Sequence, residues 1–148
     1  MVRREDMFLH NLEGVIYQGA TPCLYINIKN RRLVSYKVVG NWSLEIGVDG
    51  GGIPYFKGCG VSYYTVNEFF KDRVVLDGAQ WVHEYLDSLG LTYYDFEAIV
   101  KSSCGWNPRD RRWIKFEGGR FQAYDDIVKF TGIKPNPEAD GGYDWKKR

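Results

Sequence analysis

The stretch GWNPRDRRWIKFEGGRFQAY, residues 105–124, interleaves five basic residues with five aromatic residues. Two acidic residues oppose the basic ones, so the stretch carries a net charge of +3. Basic residues set among aromatic ones are what a protein needs to hold a phosphate backbone while bases stack on its surface. The same composition is also typical of a packed strand with a cationic outer face.

Within this stretch, residues 111–117 alternate as in a β-strand, in which neighbouring side chains point to opposite faces. Ile114 and Phe116 are expected to lie in the core, on the same side of the strand as Arg112. Trp113 then faces outward, with a cation two residues away on each side.

A last helix is predicted to begin after Gly118-Gly119, and its start shows no Ser, Thr, Asp or Asn as a cap. A bound phosphate or carboxylate would satisfy the uncapped N–H groups, although water or Glu117 could do the same. The candidate site for nucleic acid or an anion therefore comprises Arg109, Arg111, Trp113, Lys115, Gly119 and Arg120. A secondary basic patch comprises Lys29, Arg31, Arg32 and Lys37.

The first half of the chain shows the two-residue period of half-buried strands. A short strand is predicted over residues 15–17. Alternating segments follow at residues 24–28, 33–38 and 42–48, separated by turn-forming pairs such as Asn30-Arg31. Strands joined by tight turns are typical of an antiparallel meander.

Helical periods begin after residue 64, with capping signatures at Thr65, Asp77 and Thr92. The fold class is therefore α+β, with an N-terminal antiparallel β-meander followed by three to four helices and one further strand near 111–117. At 148 residues with ordinary globular composition, residues 1–134 are expected to form a single domain. The tail, residues 135–148, is rich in Gly, Pro and charge, which predicts flexibility.

Charge is unevenly distributed along the chain, although the net charge is only +1. Residues 61–100 carry a net −5, whereas residues 101–120 carry a net +4. Three dispersed cysteines indicate a reducing compartment. The longest uncharged run, residues 14–28, is too short and too polar to span a bilayer, so a cytoplasmic protein without membrane association is expected.

Catalytic, metal and cofactor chemistry are not favoured by the residue spacing. His10, His83 and the scattered cysteines do not show the paired spacing of zinc sites, so neither a metal nor a cofactor is expected. Cys104 falls at a predicted helix end, where the helix dipole disfavours a thiolate. The glycine-rich residues 49–60 lack the spacing of known phosphate-binding loops.

These patterns favour a small non-enzymatic binding protein whose partner is nucleic acid or a nucleotide-like anion. A protein-binding inhibitor or adaptor is the alternative, because Tyr, Trp and Arg dominate interface hot spots. In that alternative, the acidic residues 61–100 could form the interface and mimic the charge of nucleic acid. An enzyme with an unrecognised carboxylate site is the third hypothesis. The low net charge opposes the first, because nucleic-acid-binding domains are usually basic.

Overall fold

The computed structural model of the protein describes residues 1–39, 60–107 and 111–131. The strands are β1 (Leu12–Gln18), β2 (Thr21–Lys29), β3 (Arg32–Val38) and β4 (Arg112–Lys115). The helices are α1 (Tyr63–Lys71), α2 (Val82–Ser88), α3 (Phe96–Ser103) and α4 (Tyr124–Thr131), preceded by a 3-10 turn at Arg4–Asp6. The strands form one antiparallel sheet in the order β3-β2-β1-β4. The predicted α+β class, with its N-terminal meander and its later strand, is confirmed.

Tight turns set the meander. Asn30 and Arg31 form the two-residue connection between β2 and β3, and both have positive φ angles, of 51° and 62°. Positive φ at both positions is the geometry of a type I′ hairpin turn, whose twist matches that of the flanking strands. After three helices the chain returns to the sheet, where Ile114 of β4 lies opposite Ile16 of β1.

One face of the sheet, here called the inner face, carries the main hydrophobic core. Ile16, Ile26 and Ile114 are fully buried on it and pack against apolar side chains of α1 and α3. Burial of each such isoleucine contributes about 1.5–3 kcal/mol to the free energy of unfolding. The opposite face, here called the outer face, carries the residues that alternate with these.

The turn after α3 places β4 against the rest of the molecule. Cys104 and Gly105 both have positive φ angles, and the Cys104 carbonyl accepts a hydrogen bond from Ile114 N–H at 2.7 Å. Arg73, which is buried, donates to the Gly105 carbonyl at 2.7 Å and to the Arg112 carbonyl at 2.8 Å. This arginine therefore joins the end of α1 to both the turn and the strand.

Three helices begin at caps other than those the sequence predicted. The residue before α2 is Trp81, which makes no side-chain cap hydrogen bond, so Asp77 does not cap that helix. Ser62 caps α1 by accepting from Thr65 N–H, and the Thr65 hydroxyl accepts in return from Ser62 N–H. Asp95 caps α3 by accepting from Ala98 N–H at 3.0 Å. The predicted capping positions Thr65 and Thr92 were therefore each three residues from the actual cap.

Several predicted features lie outside the described residues: the strand at 42–48, most of the glycine-rich segment at 49–60, and the tail at 135–148. Among the helices that are described, none combines the length and the apolar composition needed to cross a membrane.

Candidate nucleic-acid interface

Trp113 is buried, so the prediction that it faces outward is wrong. Its side chain is 1% exposed, its ring stacks on Tyr17 with centroids 4.9 Å apart, and its indole N–H donates to the Gly19 carbonyl at 2.7 Å. Trp113 does point away from Ile114, as alternation requires, but this end of the outer face is covered by a second apolar cluster. That cluster includes Trp106, Phe121 and Ile127. A tryptophan held in this way cannot stack on a nucleic-acid base.

The three residues that alternate with Trp113 on the inner-face side differ in burial. Ile114 is fully buried, as predicted. Phe116, which was expected in the core, is only partly buried and packs against both clusters. Arg112 is fully buried, so β4 is enclosed on both faces along most of its length.

The other predicted site residues do not form one site. Arg111 is exposed, and its carbonyl accepts from Gly19 N–H. Arg120 points elsewhere, because its guanidinium donates to the Leu89 carbonyl at 3.3 Å. Gly119 is partly buried in the turn before α4, and Arg109 lies outside the described residues.

The predicted anion site rests on a helix start that is misplaced. The helix begins at Tyr124, four residues later than Arg120. The carboxylate of Asp126 accepts hydrogen bonds from Gln122 N–H at 2.9 Å and from Ala123 N–H at 3.0 Å. These bonds lower the pKa of Asp126 below its ordinary value. The chain thus supplies its own carboxylate where a bound anion was expected.

A row of four side chains crosses the outer face across all four described strands of the sheet. Lys115 of β4 pairs with Val15 of β1. Val15 pairs in turn with Tyr25 of β2, and Tyr25 pairs with Lys37 of β3. Directly opposed residues of antiparallel strands project from the same face, so these four side chains, here called the outer-face row, are neighbours. With strands about 4.8 Å apart, the backbones of Lys115 and Lys37 are about 14 Å apart.

The outer-face row is open to solvent in the part of the chain that the structure describes. Lys37 is exposed, while Val15, Tyr25 and Lys115 are partly exposed. Val15 and Tyr25 belong to none of the hydrophobic clusters of the described residues. The row therefore brings together Lys115 of the predicted site and Lys37 of the secondary patch.

Tyr25 is held in a defined orientation on this face. Its hydroxyl donates to the Glu13 carboxylate at 2.5 Å, and this hydrogen bond raises the pKa of Tyr25 above its ordinary value. Glu13 belongs to the next row of the sheet, where it pairs with Asn27, and Asn27 pairs with Ser35. A hydroxyl that reaches the next row places the tyrosine ring along the face of the sheet. The tyrosine side chain is partly exposed to solvent.

The secondary basic patch divides between two surfaces around β3. Lys37 belongs to the outer-face row, whereas Arg31 and Arg32 line a groove between β3 and the start of α1. Arg31 is held in place, because its guanidinium lies 3.8 Å from the centroid of the Phe8 ring. Lys29 is exposed beside the β2–β3 turn.

Most acidic residues of the segment 61–100, here called the acidic block, bind the N-terminal segment. Arg4 donates to Glu68 at 2.9 Å and to Asp72 at 2.7 Å. Asp77 accepts from the backbone N–H of Val2 at 2.7 Å. The carboxylate of Glu97 accepts from the backbone N–H groups of two N-terminal residues, and Asp95 is the cap of α3. Five of the seven carboxylates in residues 61–100 thus make contacts within the chain.

Reactive groups are scarce among the described residues. No group of three or more His, Cys, Asp or Glu side chains in this part of the chain lies close enough together to hold a metal ion. Cys104 is fully buried, and burial raises the pKa of its thiol. A neutral buried thiol is a poor nucleophile.

Tyr25 is the residue of the outer-face row that the sequence reasoning missed. The alternation of β2 places it on the polar side of the strand with Asn27 and Lys29, which is a signal that this aromatic ring lies outside the core.

Comparison with known proteins gives no relative from which a function could be transferred. No protein family matches the chain, and neither a curated protein nor a solved structure matches it.

Proposed function

We propose that this is a non-enzymatic, cytoplasmic binding protein whose outer face binds nucleic acid or a nucleotide-like anion. The observation that carries the proposal is the outer-face row, in which an aromatic ring lies between two lysines on an open sheet. Tyr25 replaces the buried Trp113 as the residue on which a base would stack.

The chemistry of the row suits the two parts of a nucleotide. Lys37 is on the strand next to Tyr25, so the two backbones are about 4.8 Å apart. Lys115 is two strands away on the other side, so its backbone is about 10 Å from that of Tyr25. Lysines at these separations can neutralise phosphates while the ring stacks on a base, and the release of counterions favours binding. Open four-stranded sheets that carry aromatic residues bind single-stranded bases in this manner.

The distribution of charge reduces the objection raised by a net charge of +1. Most carboxylates of the acidic block make contacts with the N-terminal segment or cap a helix. In contrast, Lys29, Arg31, Arg32 and Lys37 are all exposed around β3. A locally basic surface steers an anionic ligand even when the total charge is near zero.

A protein partner is the second candidate, and β3, the outermost strand of the sheet in the described part of the chain, favours it. Val34, Tyr36 and Val38 are 52%, 51% and 44% exposed among the described residues. An edge strand with exposed apolar side chains is a suitable site for addition of an extended peptide as a further strand.

Binding of a labelled oligonucleotide of about ten nucleotides, a length typical of small single-strand-binding folds, tests the proposal. Tyr25→Ala should weaken binding about five- to a hundredfold through loss of stacking. Tyr25→Phe keeps the ring and should retain most of the affinity. Tyr93→Ala is the matched control, because Tyr93 is 70% exposed and lies outside the sheet.

Two outcomes would contradict the proposal. Absence of binding by the wild-type protein at low salt would exclude the nucleic-acid function and favour the protein partner. Equal losses for Tyr25→Ala and Tyr93→Ala would show that the ring on the outer face is not a stacking site.

A further inference from the structure

A groove of about 580 Å³ lies between β3 and the start of α1. It is lined by residues 31–36 and 61–63, which include two arginines, two tyrosines and two serines. None of these described lining residues is acidic. A cationic groove with aromatic walls is complementary to a ligand that carries both phosphates and flat rings.

Arg31 is preorganised at one end of this groove. Its backbone is fixed in the hairpin turn, where its N–H donates to the His10 carbonyl at 3.1 Å. Its guanidinium packs over the Phe8 ring at 3.8 Å, and no carboxylate of the described residues forms an ion pair with it. A fixed cation loses little conformational freedom when it binds a phosphate, which favours affinity.

Tyr36 provides the aromatic surface of the groove. It pairs with the inner-face residue Ile26, so it projects from the opposite face to Lys37, its neighbour in the sequence. Its side chain is 51% exposed, although it lies on the same side of the sheet as the hydrophobic core. The groove and the outer-face row are thus separated by the width of one strand, β3.

We infer that a nucleic-acid strand bound to the outer-face row crosses β3, the outermost strand of the sheet within the described residues, and continues into the groove, so that the ligand is single-stranded. This inference rests on the proposed function. A duplex is stiff over about 150 base pairs and cannot fold around the edge of one β-strand, whereas a flexible single strand can. Phosphates would meet Lys37 on the outer face and Arg31 in the groove.

The test compares the groove variant Arg31→Ala/Tyr36→Ala with the wild-type protein. Both positions are exposed, so the variant should fold. The control is Arg3→Ala/Tyr93→Ala, which removes the same side-chain types from exposed positions outside the groove. Each protein is titrated with a single-stranded oligonucleotide of about ten nucleotides, a typical span for a small single-strand-binding fold, and with the duplex of the same sequence.

The inference predicts that the wild-type protein prefers the single strand. The groove variant should bind the single strand about five- to a hundredfold more weakly, through loss of stacking. It should also show a salt slope smaller by about 0.7, through loss of one phosphate contact. The control should match the wild-type protein in both quantities.

Three results would overturn the inference in distinguishable ways. If Tyr25→Ala weakens binding but the groove variant does not, the proposed function stands and the path into the groove is refuted. If the duplex binds as tightly as the single strand, crossing of the β3 edge is refuted. If the wild-type protein binds neither ligand, the proposed function fails and the inference fails with it.

Discussion

Replacement of Gly105 by alanine tests how the turn after α3 positions β4. Gly105 has a φ angle of 62°, and a Cβ atom at this position would lie 2.7 Å from Cε1 of Phe70. The left-handed backbone costs about 1–2 kcal/mol for a residue with a side chain. Overlap with a packed core ring costs typically about 1–3 kcal/mol more. Gly105→Ala should therefore lower the free energy of unfolding by about 2–5 kcal/mol.

Gly90→Ala is the matched control, because Gly90 also has a positive φ, of 76°, but no atom lies within 4 Å of a Cβ there. Gly90→Ala should cost about 1–2 kcal/mol, the backbone part alone. Urea unfolding monitored by tryptophan fluorescence measures both losses of unfolding free energy. Each kcal/mol lost should also lower Tm by about 2–4 °C for a chain of this size.

The double variant Gly105→Ala/Phe70→Leu separates the overlap from other effects. Since Phe70 is the ring that the new Cβ meets, Gly105→Ala should cost less in the Phe70→Leu background. Equal costs for Gly105→Ala and Gly90→Ala would refute the close packing of this turn against α1.

Three further changes have defined outcomes. Arg73→Met leaves two buried carbonyl groups without their donor, so the free energy of unfolding should fall by about 2–6 kcal/mol in urea denaturation; a loss below 1 kcal/mol would contradict the joining role of this arginine. Burial raises the pKa of Tyr94 from 10.0 to about 12, so the unfolded chain ionises first and stability should fall between pH 10 and 12. Tyr94→Phe should make that alkaline loss shallower, and an unchanged profile would be inconsistent with this origin. Glu13→Gln should lower the pKa of Tyr25 in a spectroscopic titration and strengthen oligonucleotide binding, whereas the same change at exposed Glu84 should do neither; weaker binding by Glu13→Gln would count against an anion on the outer face.

The fold was largely predictable because its local signals are strong. Two-residue alternation and the Asn30-Arg31 turn specify the β2–β3 hairpin, and Gly105 follows the end of α3. The inner-face position of Ile114 also followed from alternation.

The candidate site was less predictable, because exposure depends on elements that are distant in sequence. Alternation correctly placed Trp113 opposite Ile114, but it could not show that the residues around α4 cover that end of the outer face. The start of α4 was placed too early, and the carboxylate of Asp126, inside its first turn, accepts from the two residues that precede the helix. Tyr25 became a candidate once strand pairing placed it between two lysines from other strands.

The salt dependence of single-strand binding tests the central claim most directly. Lys37→Ala/Lys115→Ala removes both cations of the outer-face row, and Lys129→Ala changes an exposed lysine on α4. Each phosphate contact contributes about 0.7 to the slope of log affinity against log salt for a single strand. Loss of both lysines should therefore reduce the slope by about 1.4, while Lys129→Ala should leave it unchanged. An unchanged slope in the double variant, or no binding by the wild-type protein at low salt, would contradict the assignment of the outer face as a nucleic-acid interface.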